Sequence, residues 1–101
     1  MENSAQLKLP ERVKISDDIL FQEMDGESVL LDLTNEQYFG LNEVGTRIWQ
    51  LLSEKSETAG VLSQLAGEFD ADEDVLRRDL ALLLNELETG GLIVIEAETR
   101  V

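Results

Sequence analysis

The hydrophobic positions of this chain follow two different periods in its two halves. Between residues 12 and 41, short apolar runs alternate with polar residues, and a period of two is typical of strands. Between residues 42 and 89, apolar residues recur three and four positions apart, which indicates amphipathic helices. Residues 92–95 are a final β-prone run. The pattern predicts one α+β domain.

The first half predicts a three-stranded antiparallel meander. Residues 19–24 and 28–33 flank Asp25-Gly26, a strong hairpin signal because a type I′ turn needs positive φ at both central residues. Asn35-Glu36 makes the next turn, with Asn35 tolerating the left-handed region, and residues 37–41 form the third strand. A shorter alternating run at residues 13–15 precedes the meander.

Two-residue loops at both turns fix the expected register. Phe21 then lies opposite Leu30, Leu30 opposite Leu41, and Leu31 opposite Gly40.

The core face of the sheet carries Phe21, Leu30, Phe39 and Leu41. The opposite face, called the outer face below, carries Leu20, Val29, Leu31, Leu33 and Tyr38. Both faces are apolar, which is unusual for a small sheet with one side in water. We therefore expect the N-terminal arm, the C-terminal strand or another chain to cover the outer face. We also expect residues 13–15 or 92–95 to cover the first strand of the meander.

Three helices follow, each with a candidate N-cap. Asn42 caps the first (residues 43–53), Ser56 the second (to residue 69) and Asp72 the third (residues 73–89), which Gly90-Gly91 ends. The expected buried positions are Val44, Ile48, Leu51 and Leu52; then Ala59, Leu62, Leu65, Ala66 and Phe69; then Leu76, Leu80, Leu83, Leu84 and Leu87, widened by Val75 and Leu82.

The order of elements favours a winged helix-turn-helix-like fold, with the meander followed by three helices and a short C-terminal strand. Residues 1–11 form an arm, residues 12–96 the single domain, and residues 97–101 a tail. Gly45 would let the first helix approach the sheet closely, and Trp49 belongs to the core or to an interdomain contact.

Composition and charge argue against several classes of function. The chain has 22 acidic and 8 basic residues, no histidine and no cysteine, for a net charge of −14. Such a surface repels phosphate backbones, and the third helix lacks the positive charge of a DNA recognition helix. No thiolate or imidazole exists for catalysis or metal binding, and the glycines form no phosphate loop. We expect no enzyme activity, cofactor, metal or nucleic-acid partner. Without a signal peptide or a membrane-length apolar run, we expect a cytoplasmic protein with no membrane partner.

The segment from residue 33 to residue 49 carries the most specific pattern. It reads Tyr38-Phe39-Gly40-Leu41-Asn42-Glu43-Val44-Gly45, then Ile48-Trp49, and a leucine-rich helix closed by Gly-Leu-Ile follows. This order resembles the PqqD-like family, the RiPP recognition elements of ribosomally synthesised and post-translationally modified peptides. The resemblance covers about residues 19–95. The Tyr-Phe-Gly-Leu-Asn version is similar to stand-alone members of lasso-peptide-type pathways. Glu36 stands where many relatives have glycine.

The resemblance implies a non-catalytic peptide chaperone. In that family, the leader segment of a precursor peptide adds as a strand to the third strand, in a cleft walled by the third helix. In this chain, Gln37, Tyr38, Phe39, Gly40 and Leu41 would supply the edge, with Tyr38 near the cleft mouth. Leu76, Leu80 and Leu84 would line the pocket, and Arg77 would pair with a leader carboxylate. The partner enzyme would be a peptidase, cyclase or radical enzyme of the same pathway.

Plainer interpretations stand beside these roles. Tyr38 can fill the outer face, the helix leucines can be core, and Arg77 or Arg78 can pair with Glu73 or Asp74 at helical spacing. The alternative function is an acidic winged-helix adaptor or dimerisation module that uses the outer face, including a homodimer through that face. A DNA-binding regulator is the third.

Overall fold

The chain forms four strands, then three helices and a last strand. The computed structural model describes residues 9–96. In chain order the elements are β1 (Arg12–Ile15), β2 (Ile19–Met24), β3 (Glu27–Asp32), β4 (Gln37–Leu41), α1 (Glu43–Glu54), α2 (Thr58–Glu68), α3 (Glu73–Thr89) and β5 (Ile93–Glu96). The predicted mixed α+β class, with an antiparallel sheet, three helices and a C-terminal strand, is confirmed. No helix in the described part of the chain is long and apolar enough to cross a membrane.

The strands form two sheets. β2, β3 and β4 make the expected meander, in that order, and β1 pairs with β5 in a separate two-stranded antiparallel sheet. The prediction that residues 13–15 or 92–95 would cover the first meander strand was wrong, because these two segments pair with each other, Val13 opposite Ile95. Leu20, Val29 and Tyr38 of the outer face are exposed, which does not support the expectation that the C-terminal strand covers this face. The other candidate, the arm, falls largely on residues 1–8, which lie outside the described residues.

The register between β2 and β3 is as predicted. Phe21 lies opposite Leu30 and Met24 opposite Glu27, and Asp25 and Gly26 have the positive φ angles that a type I′ turn requires, 57° and 85°.

The predicted register between β3 and β4 was wrong by two residues. Leu30 lies opposite Phe39, and Leu31 lies opposite Tyr38. The connection is a four-residue loop, because the Asp32 carboxylate accepts hydrogen bonds from the backbone N–H of Thr34 and of Asn35 and from the Asn35 amide. These bonds lower the pKa of Asp32, the Asn35 side-chain bond most strongly. A shift of two keeps every side chain on its predicted face, since strand side chains alternate with a period of two.

That loop ends in a left-handed residue. The residue is Glu36, with φ of 56°, and its N–H donates to the Asp32 carbonyl at 2.7 Å. The expectation that Asn35 would take this conformation is therefore corrected by one position.

β4 passes into α1 without a linker. Asn42 is the N-cap, as predicted, and its side-chain oxygen accepts from the Gly45 N–H at 2.8 Å. Gly45 is crowded, since an added Cβ would lie 3.2 Å from Leu41 Cδ2 and 3.3 Å from the Asn42 side-chain oxygen. A buried hydrogen bond of 2.8 Å between the Ser28 and Thr46 hydroxyls ties α1 to β3. These contacts position the start of α1 against the end of β4.

The start of α2 differs from the prediction. Ser56 does not cap it; the N-cap position is Glu57, without a side-chain cap bond. Ser56 is instead held to β1, because its carbonyl accepts from the Val13 N–H and its hydroxyl from Arg12. The helix therefore begins one residue later than predicted, at Thr58, whose N–H donates to the Glu11 carbonyl and whose hydroxyl donates to the Pro10 carbonyl.

α3 has the predicted bounds and the predicted cap, since the Asp72 side chain accepts from the Asp74 N–H. It ends in a Schellman motif. Gly91, with φ of 80°, follows the last turn, and its N–H and that of Leu92 donate to the carbonyls of Glu88 and Leu87.

The core lies between the helices and the two sheets. Of the helix positions that were expected to be buried, Ala59, Val75 and Leu82 are exposed. Trp49 is buried in the core. The least exposed large side chains are Val13, Leu30, Ile48, Leu51, Val61, Leu65, Leu80, Leu84, Leu87 and Ile93.

A partly exposed ion pair joins α1 to α2. Arg47 donates to both carboxylate oxygens of Glu68, at 2.7 and 2.8 Å, and Gln64 donates to the same carboxylate. Chiefly because of the Arg47 hydrogen bond, the pKa of Glu68 falls from the usual 4.5 to about 2. The pair is bidentate, the strongest geometry for such an interaction.

Replacing Asn42 by Ala removes the acceptor for one N-terminal N–H of α1. We expect the free energy of unfolding to fall by about 1 kcal/mol, within a range of roughly 0.5–2 kcal/mol, measured by urea denaturation. Asn42→Asp is the matched control, because it keeps an acceptor oxygen, and it should retain most of the stability. Equal losses in the two variants would contradict this role for the cap.

Replacing Glu68 by Gln should destabilise the protein in a pH-dependent way. The folded pKa of Glu68 is depressed, so its contribution is fully present above the usual pKa of 4.5 and is lost as the pH falls towards 2. The free energies of unfolding of wild type and variant, measured by urea denaturation, should thus differ at pH 7 and converge as the pH approaches 2. Glu88→Gln makes the same charge change at an exposed position and should show a smaller difference at pH 7. A difference from wild type that stayed constant down to pH 2 would be inconsistent with the ion pair.

Candidate functional site

β4 is an edge strand of the meander, and its main chain is the first component of the candidate site. Hydrogen-bonded pairs alternate along antiparallel strands, and a two-residue hairpin is closed by such a pair, here Met24 and Glu27. Every second residue of β3 from Glu27 onward then bonds to β2, and the intervening residues bond to β4. The partners of those intervening residues on β4 are Gln37, Phe39 and Leu41.

Tyr38 and Gly40 consequently direct their N–H and C=O groups away from β3. No other strand of the described residues pairs with this edge of the sheet. The edge therefore offers two donors and two acceptors to an incoming extended chain.

A cleft of about 340 Å³ lies between β4 and α3. Its first wall, from the end of β4 and the start of α1, consists of Phe39, Gly40, Leu41, Asn42, Val44, Gly45 and Ile48. Its second wall, from α3, consists of Asp79, Leu82, Leu83 and Glu86. These α3 residues are spaced i, i+3, i+4 and i+7, so they form one stripe along the helix. A strand added to β4 would lie against this stripe, which is apolar in the middle and acidic towards both ends.

The predicted α3 pocket residues occupy the neighbouring, buried stripe. Leu76, Leu80 and Leu84 are 3%, 0% and 1% exposed, respectively. They support the helix from the core side, and they do not line the cleft.

Arg77 lies on the opposite side of α3 from the cleft. Successive residues of a helix are about 100° apart, so Arg77 and Asp79 point ~160° away from each other. Arg77 lines a different groove, between α2 and α3 near Pro10, and it approaches Glu73 at 4.0 Å. The structure does not bring it together with β4.

The β4 residues divide between the two faces of the sheet. Phe39 and Leu41 face the core and line the cleft, with Leu41 buried. Tyr38 lies on the outer face, opposite Leu31, and is 77% exposed. The side chain of Tyr38 is therefore not part of the cleft, although its main chain is part of the free edge.

The sequence contained one sign of the cleft stripe. Leu82 widens the leucine stripe of α3 beyond the width that the core needs, and in the structure it is 54% exposed. Leu82 and the neighbouring Leu83 form the apolar part of the α3 wall of the cleft. No cluster of metal-ligating side chains accompanies this surface in residues 9–96.

Comparison with known proteins identifies the family of this chain. The sequence model for Coenzyme PQQ synthesis protein D (PqqD) matches residues 27–93, which contain the meander from β3 on, all three helices and the first residue of β5. The chain belongs to the PqqD family. A search of the curated proteins found no match.

Two solved structures resemble this PqqD-family protein over most of its length. One is TbiB1 in complex with the TbiA(beta) leader peptide, with 36% identity and a TM-score of 0.76, covering 84% of this chain and 99% of TbiB1. The other is a lasso peptide synthetase B1 complexed with the leader peptide, with 26% identity and a TM-score of 0.72, covering 82% of this chain and 98% of that one. The family resemblance expected from the sequence, including its lasso-peptide character, is confirmed.

The assignment of Leu80 to the core and Leu82 to the cleft can be tested by stability. Leu80→Ala should lower the free energy of unfolding by about 2–5 kcal/mol, because it empties a fully buried site. Leu82→Ala should change it by no more than ~0.5 kcal/mol, because the side chain is already half in water. Urea denaturation of both variants measures the contrast, and comparable losses would contradict the assignment.

Proposed function

We propose that this protein is a non-catalytic peptide chaperone. It binds the leader segment of a ribosomally made precursor peptide by strand addition to β4 and presents the precursor to a modifying or leader-cleaving enzyme. The observation that carries the proposal is the free edge at Tyr38 and Gly40 beside an apolar cleft, in a chain 36% identical to a protein solved with a leader peptide.

Strand addition divides the work of recognition between main chain and side chains. The N–H and C=O groups of the β4 edge give affinity that depends little on the peptide sequence. The cleft supplies specificity, since alternate side chains of an added strand would point towards Leu82, Leu83 and Phe39. Residues 37–41 thus remain the central part of the proposed site.

The α3 residues of the proposed site take different roles. Leu82 and Leu83 contact the peptide. Leu76, Leu80 and Leu84 hold the helix in place from the core. Arg77, on the far side of the helix, has no contact with a peptide at β4.

The proposed partners are the precursor peptide and a peptidase, cyclase or radical enzyme of the same pathway, all in the cytoplasm. The protein itself would need no cofactor. The winged-helix interpretation of the three helices and the meander also remains a proposal, and the acidic α3 argues against its use on DNA.

Gly40→Pro tests strand addition. Proline removes the outward N–H of residue 40 and places its ring at the edge, so leader affinity should fall about tenfold or more. Titration calorimetry would measure this with two probes, the TbiA(beta) leader peptide and the leader of a precursor from this protein's own genome. Wild-type protein should bind one of them with micromolar or tighter affinity.

Gly40→Ala is the matched control, because an added Cβ meets nothing within 4 Å and the N–H is kept. It should bind like wild type. Amide NMR shifts of the wild-type protein provide a test that does not depend on the folding of the proline variant. They should cluster on β4 and on the cleft stripe of α3. Shifts confined to other surfaces, or no binding of either leader, would overturn the proposal.

The outer face supports a second candidate, an adaptor or dimerisation module. Leu20, Val29 and Tyr38 are 42–77% exposed on this face among the described residues. Sedimentation velocity distinguishes the two functions, because a tight dimer that binds neither leader would favour the second. A monomer that binds a leader favours the first.

A further inference from the structure

The cleft between β4 and α3 contains two carboxylates. Asp79 and Glu86 line its helical wall, and both are exposed. They are seven residues apart, or about 10.5 Å along the helix axis, with Leu82 and Leu83 between them. An extended peptide in the cleft would therefore meet an apolar centre with a negative charge towards either end.

No basic side chain of the described residues lines this cleft. Arg12 and Arg47 pair with Glu57 and Glu68, and Arg77 faces the other side of α3. Neither Asp79 nor Glu86 takes part in an ion pair within residues 9–96. Their charges are thus available to a ligand.

A strand that pairs with β4 and runs along the α3 axis would fit this charge pattern in one arrangement. Every second side chain of the strand would face α3, at intervals of about 6.8 Å. When a large apolar side chain lies over Leu83, the next residue on that face comes within reach of Asp79 or Glu86. Lys or Arg there gains a charge partner, whereas Asp or Glu would be repelled.

We propose that the protein selects leader segments in which Lys or Arg lies two residues from a large apolar residue on the α3-facing side of the added strand, and that Asp79 and Glu86 read this basic residue. The inference rests on the proposed function and gives its specificity. It differs from general attraction by the net charge of −14, because it depends on two particular carboxylates.

The test is selection from a random peptide library displayed on phage. Wild-type protein is compared with the cleft variant Asp79→Asn/Glu86→Gln and the control variant Asp74→Asn/Glu88→Gln. The control removes the same two charges from α3 at exposed positions that do not line the cleft. Peptides retained for analysis are those that lose binding to Gly40→Pro and keep it to Gly40→Ala.

Wild type and control should enrich Lys or Arg two positions from a large apolar residue, and the cleft variant should not. In one selected peptide, replacing that basic residue by Glu should weaken binding to wild type about tenfold, and by much less to the cleft variant.

The other outcomes are distinct. Peptides that depend on Gly40 but show no basic enrichment would overturn the charge inference and leave strand addition intact. Equal loss of enrichment in the cleft and control variants would show general charge attraction only, and would also overturn it. A library without any Gly40-dependent binder would overturn the proposed function itself.

Discussion

The hydrogen bond from the Gly45 N–H to the Asn42 side chain is the contact on which the geometry of the site depends. It ends β4 and starts α1 at one residue, so no linker can absorb a change in direction. The Ser28–Thr46 bond holds the same turn of α1 to β3, opposite Leu41. Strand, helix and the neighbouring strand are therefore fixed within a few residues of each other. The first wall of the cleft is built from this junction, so these bonds fix the position of the wall next to the free edge.

The meander shows how far local sequence determines register. Asp25-Gly26 dictates its own turn, so the β2–β3 pairing could be predicted residue by residue. Asn35-Glu36 has the sequence of a second two-residue turn. The Asp32 side chain, however, accepts hydrogen bonds from Thr34 and Asn35, and the loop has four residues. Residue spacing alone does not predict when a side chain will take the backbone donors of a turn and lengthen the loop. The assignment of faces survived, since the error was an even number of residues.

The candidate site was predictable in its strand and less so in its helix. Residues 37–41 could be placed at an edge because a meander has its last strand there. On α3, almost every turn carries leucine, and the direction of the cleft is set by where β4 lies, a long-range contact. Leu80 and Leu82 look alike in sequence, and the fold makes one core and the other surface. The pairing of β1 with β5, some 80 residues apart, is equally invisible to local patterns.

The unpaired edge of β4 also bears on self-association. An exposed strand edge next to apolar side chains is a template on which copies of a chain can polymerise, and many proteins block such edges. Within residues 9–96 no strand covers this edge, and β2 forms a second open edge on the other side of the sheet. The chain's net charge of −14 opposes the approach of identical copies, while a peptide of the opposite charge is not repelled. Electrostatic repulsion between like molecules therefore disfavours edge-to-edge association, and salt that screens the charge weakens this effect.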